Sequence, residues 1–146
     1  MQILLVVLAL AAGSVLPVQA ALNATIARYA GRPEWAAFIN FAVGSVALAA
    51  WLAALRIAPP TALALSRAPW WAWAGGILGA FYVSAVVLLT PRIGVAATLA
   101  LAVAGQMVGA LALDQLSAFG LAYRPMTPSR LAGAALLVVA VVLIRR

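Results

Sequence analysis

Residues 95–113 read VAATLALAVAGQMVGALAL, with no ionisable side chain and only Thr98 and Gln106 clearly polar. A run of this length crosses the hydrocarbon core of a bilayer as one helix. Gly105 and Gly109, four residues apart, bracket Gln106. A side-chain amide at membrane depth is costly until it finds a partner. Small residues beside it let another backbone approach closely. The stretch therefore predicts a helix that packs against others and lines something polar.

The rest of the chain repeats this design. Of its 146 residues 68% are hydrophobic and 8% are charged, where an ordinary soluble domain has roughly 25% charged. A soluble protein of this size cannot hide that much apolar side chain and still clothe its surface. The composition predicts an integral membrane protein. There is no Cys and no His, so thiolate chemistry, the usual metal ligands and a near-neutral proton shuttle are all missing. Glu34 and Asp114 are the only acids, and all nine basic residues are Arg. The net charge of +7 does not point to nucleic acid, because the arginines fall between apolar runs and not in one patch. They read as membrane-flanking charges.

Working outward, the pattern predicts five helices at about 2–27, 35–55, 70–90, 94–115 and 128–144, in a single integral membrane domain. The first run could serve as a cleaved leader, with Ala20 closing a small-residue site. No basic residue precedes it, however, and four further apolar segments follow. Pro17 should kink or interrupt this helix. Gln19 and Asn23 lie one turn apart and so share a face, as part of a binding pocket or as an interhelical clamp. Arg28, Tyr29, Gly31 and Arg32 form a turn, and Pro33 with Glu34 starts the second helix. Asn40 lies inside that helix, where it either caps a neighbouring segment or contacts solute. Pro59 and Pro60 break the connection at 56–68, and Trp70, Trp71 and Trp73 open the third helix, with one or two of them at headgroup depth. Gly75 with Gly79 makes one small-residue face, and Gly76 with Ala80 another. Tyr82 is the aromatic best placed beside a ligand, and a packing tyrosine is the alternative. Thr90, Pro91, Arg92 and Gly94 read as a tight turn. Asp114, in the last turn of the fourth helix, sits at the unfavourable end of the dipole. It reaches water, pairs with an arginine or takes part in coupling. Thr127 should cap the fifth helix, with Pro128 at its first position. That helix just spans if Arg130 snorkels, with Arg145 and Arg146 anchoring its end.

Five crossings would place Arg56, Arg67, Arg124 and Arg130 on one side and Arg28, Arg32, Arg92, Arg145 and Arg146 on the other. Four against five leaves the positive-inside rule almost nothing to act on. Dual orientation and an antiparallel pair are one outcome, and a weak bias toward a single orientation is the other.

No pair of carboxylates and no Ser/His/Asp set is present, which argues against an enzyme and leaves no catalytic residue to name. The polar inventory of Gln19, Asn23, Asn40, Tyr82 and Gln106 suits a small polar, zwitterionic or amphipathic solute passing by alternating access. The other class is a membrane assembly subunit that uses Gly75, Gly79, Gly105 and Gly109 for packing alone. Glu34 and Asp114 are the coupling candidates, though both lie near helix ends. No haem, metal or nucleotide cofactor is suggested, and no phosphate-binding loop is present to use ATP.

Four stretches taken together carry a resemblance: LNATIARYAGRPEWAAFINFAVGS (22–45), WAWAGGILGAFYVSAVVLLTPRIG (71–94), AVAGQMVGALALDQLSAFG (102–120) and TPSRLAGAALLVVAVVLI (127–144). The chain resembles the YdcZ-like family of bacterial inner-membrane exporters, within the drug/metabolite transporter superfamily. The resemblance implies an all-α, polytopic half of an inverted-repeat transporter. It would be completed by a second copy as an antiparallel homodimer or by a homologous five-helix chain. The sequence departs from the related small multidrug transporters in having no glutamate in the middle of its first helix, so their proton–cation exchange is not implied.

Overall fold

The computed structural model describes residues 2–144, and all the regular structure among them is helical. In chain order the elements are α1 (Gln2–Ala30), α2 (Pro33–Ala54), a short α3 (Ala62–Ser66), α4 (Ala74–Ile93), α5 (Val95–Leu116) and α6 (Pro128–Ile144). One 3-10 turn, Trp70–Trp73, leads into α4, and another, Ala118–Gly120, follows α5. Arg145 and Arg146, expected as terminal anchors, lie outside the described residues.

Among the described residues four helices are long and apolar enough to cross a membrane: Gln2–Ala30, Pro33–Ala54, Trp70–Ile93 and Val95–Leu116. This corrects the expectation of five. The last helix, Pro128–Ile144, has 17 residues. At the α-helical rise that is roughly 25 Å, short of a hydrocarbon core of about 30 Å. The protein is an all-α, polytopic membrane protein.

The chain divides into two compact units between Pro91 and Arg92. In the first, α1 runs unbroken through Pro17. The proline removes one backbone donor, but the turns on both sides hold the helical geometry, and lipid offers the chain no better hydrogen bonds. Gly31, at φ +76°, reverses the chain in a left-handed conformation that a side chain would strain. Pro33 then opens α2 at the position where its missing N–H costs nothing. The link is short, so α1 and α2 pack as an antiparallel pair. Buried Ala20 on α1 and buried Ala36 and Ala37 on α2 leave room for close approach.

At the far end of α2, Arg56 takes a left-handed conformation. Its N–H bonds the Ala53 carbonyl and the Ile57 N–H bonds the Leu52 carbonyl, each at 3.0 Å. This closes the helix with the pairing usually built around glycine. Thr61 caps α3, its hydroxyl accepting from the Ala64 N–H at 3.2 Å. On α4, Gly79 faces the Phe41 ring, which lies 3.4 Å from where a Cβ would stand.

In the second unit, the turn expected over residues 90–94 contracts to Gly94 (φ +84°), because α4 continues through Pro91 to Ile93. Thr98 in the first turn of α5 donates its hydroxyl back to the Gly94 carbonyl at 2.7 Å. Ser117, Phe119 and Gly120, all at positive φ, fold the chain back after α5. Thr127 accepts from the Arg130 N–H at 3.3 Å as α6 begins, with Pro128 first in the helix. Helices α5 and α6 pack against each other.

Candidate functional site

In the first unit the three expected amides gather on the α1–α2 pair. The Gln19 Nε2 of α1 donates to the Asn40 Oδ1 of α2 at 3.4 Å, in a half-buried setting. Asn23 lies one turn beyond Gln19 on the same face and is 4% exposed. Asn23 precedes the end of α1 by seven residues, and Asn40 follows the start of α2 by seven. Each amide is therefore roughly 10 Å along its helix, and Gln19 roughly 16 Å. A polar group at that depth has little water to fall back on, so pairing and shielding by protein offset its cost. The Gln19–Asn40 bond is at the long end of hydrogen-bond distances, as suits a pair that can be exchanged for other partners.

Tyr82 of α4 is half-buried. Thr90, near the end of the same helix, is 7% exposed, and its hydroxyl has no hydrogen-bond partner among the described residues. No sequence signal marks this site, since a Thr-Pro pair reads as turn. Glu34 is exposed at the start of α2. Arg32 donates to both of its carboxylate oxygens at 3.2 Å, from Nε and Nη2. Those hydrogen bonds, and then the attraction of the opposite charges, hold the Arg32 guanidinium above its ordinary pKa.

In the second unit Gln106 is exposed. A Cβ added at Gly105 or Gly109 would meet nothing within 4 Å, and the same holds for Gly75 of the first unit. Asp114 pairs with Arg130 in a half-buried ion pair. The cation offsets a carboxylate placed at the negative end of the α5 dipole. Arg130 also donates through Nη1 to the Arg124 and Pro125 carbonyls, at 3.2 and 3.3 Å. The Arg124 N–H donates to the Asp114 carbonyl at 3.0 Å. Gln115 completes the clasp. Its Oε1 accepts from the Met126 N–H at 2.8 Å, and its Nε2 donates to the Tyr123 hydroxyl at 3.3 Å. Reading the sequence singles out Asp114 but passes over Gln115 and Tyr123, whose partners lie eight to eleven residues away across a loop of irregular backbone.

The described residues hold no group of three or more His, Cys, Asp or Glu that could bind a metal. Asn23 is thus buried, and Gln19 and Asn40 half-buried, on one helix seam in a chain of membrane-length helices. The family described as "Putative inner membrane exporter, YdcZ" matches residues 4–143. The chain belongs to the YdcZ family. Over 82 residues it is 37% identical to the inner membrane protein YdcZ of Escherichia coli (strain K12), covering 56% of this chain and 54% of that protein. The match thus spans about half the length of that relative. No solved structure matches. This chain is a multi-pass protein of the bacterial inner membrane.

Proposed function

We propose that the chain is half of an alternating-access exporter for small polar, zwitterionic or amphipathic solutes, and that two oppositely inserted copies build the whole. The observation that carries this reading is the buried Asn23 beside the Gln19–Asn40 bond, deep on the α1–α2 seam. Three uncharged amides donate and accept hydrogen bonds without the desolvation cost of a fixed charge, so a solute can exchange with them in passing. Tyr82 of α4 is a further candidate for solute contact, and Gln106 of α5 is one in its own unit. The open faces at Gly75, Gly105 and Gly109 suit close packing by a second copy or a homologous chain.

Coupling runs through Asp114. Its pairing with Arg130 ties the loop after α5 to the start of α6, so making and breaking that pair moves the loop. Glu34, tied to its near neighbour Arg32 at the surface, has the lesser part.

The test is flux from vesicles that contain the purified full chain. The probes are glycine betaine as a zwitterion, ethidium as an amphipathic cation and glycerol as a neutral polyol. At least one should cross faster than in empty vesicles. Asn23→Leu should slow it by about tenfold, the worth of one hydrogen bond made to a shielded partner. Asp114→Asn should also slow it across a pH series. No protein-dependent flux for any probe would sink the reading in favour of an assembly subunit, and flux indifferent to Asn23→Leu would remove the α1–α2 amides from the pathway.

A further inference from the structure

A cavity of about 460 Å³ opens beside the α1–α2 turn, lined by Arg32, Glu34, Trp35 and Phe38. Its walls are of two kinds. On one side stand a cation and an anion, bonded to each other at 3.2 Å and both largely exposed. On the other stand two rings in edge-to-face contact, with centroids 5.7 Å apart and planes at 84°. Trp35 is 55% exposed and Phe38 64%, so the chain itself leaves most of this apolar wall uncovered. The cavity lies where α2 enters its apolar run, since no charged residue follows Glu34 before Arg56. That is the depth at which polar headgroups give way to acyl chains, and at which tryptophan characteristically sits.

We propose that this cavity binds the headgroup of a zwitterionic phospholipid carrying a primary ammonium. Glu34 takes the ammonium, Arg32 takes the phosphate, and Trp35 and Phe38 pack against the glycerol and the first methylenes. The existing Arg32–Glu34 pair does not block the site. It is exposed and solvent-screened, so it is readily opened. A zwitterion hands each partner a replacement of the same sign as the one it loses, so no charge is left unpaired. A purely anionic headgroup would satisfy Arg32 and leave Glu34 facing a phosphate. A trimethylammonium group would bring charge but no N–H for the Glu34 carboxylate to accept. The lipid is favoured over a free solute because the apolar wall stands at a depth where the bilayer supplies acyl chains. Lipid binding here does not depend on solute transport and stands or falls apart from it.

The experiment is competitive retention by the full chain, read by native mass spectrometry. The protein is released from detergent in an equimolar mixture of phosphatidylethanolamine, phosphatidylcholine and phosphatidylglycerol with identical acyl chains. Wild type should retain phosphatidylethanolamine about fivefold over either competitor, the difference expected from one charge-assisted hydrogen bond at an exposed site. Glu34→Gln should erase the preference over phosphatidylglycerol, and Arg32→Gln should lower retention of all three. Trp35→Leu should lower retention without changing the order. Helical circular dichroism should be unchanged in every variant, since all three side chains are exposed. Equal retention by wild type, a preference for phosphatidylcholine, or a preference that survives Glu34→Gln would overturn the proposal.

Discussion

Asn23 is buried while Leu22, its neighbour, is 60% exposed. In water that order would be perverse, but in a bilayer it follows directly. Lipid solvates leucine and cannot hydrogen-bond an amide, so the amide turns to protein. The Gln19–Asn40 bond has the same cause. Its strength is measurable in a double-mutant cycle with Gln19→Leu, Asn40→Leu and both, followed by unfolding in micelles. The coupling should be about 0.6 kcal/mol, the average for such contacts between membrane helices. A coupling near zero would mean that the two amides do not hold each other in solution. Gln19, Asn23 and Asn40 are legible in the sequence, because a polar residue is conspicuous in an uncharged apolar run, but so is Gln106, which stays exposed. Thr90 is not legible, because its burial depends on where α4 ends, and α4 continues past a proline that reads as a stop.

At the scale of elements, the instructive segment is the loop between α5 and α6. Its regular structure is one 3-10 turn, yet Asp114, Gln115 and Arg130 tie it down at both edges. Loss of Gln115 should free one side of that clasp and loss of Arg130 the other. Hydrogen exchange checks this. Gln115→Leu should speed exchange at the Met126 amide by about tenfold, the effect of one hydrogen bond lost, while the interior of α6 is unmoved. Arg130→Ala should speed both the Met126 and the Arg124 amides. Unchanged rates in both variants would show the loop to be held by something other than this network. The helices themselves are largely legible, because runs of apolar residues bounded by Arg, Pro and Gly leave little choice of where a span begins. The clasp is not, because a glutamine near a helix end looks like any surface glutamine until the chain folds back on it.

For the whole molecule the deciding property is which way it faces. Two positions that flank α2 in sequence report it in this cysteine-free chain: Tyr29→Cys, where the native side chain is 90% exposed, and Arg67→Cys. Each is labelled in intact cells with an impermeant thiol reagent and again after permeabilisation. The proposed dimer predicts that each site has a labelled and a protected population. Exclusive labelling of one site would leave a single orientation and remove the antiparallel pair. Composition alone is enough for the membrane class, but not for the number of crossings, because the last helix stops just short of the bilayer's thickness.

That shortfall of α6 reaches beyond its own packing. If the helix crosses, the arginines divide four to five. If it lies flat, Arg145 and Arg146 stay with Arg56, Arg67, Arg124 and Arg130, against only Arg28, Arg32 and Arg92, and the charge rule then fixes one orientation. Seventeen residues fit a thin bilayer and fail a thick one. On the proposed topology, the thickness of the surrounding bilayer therefore bears on which orientations the chain can take.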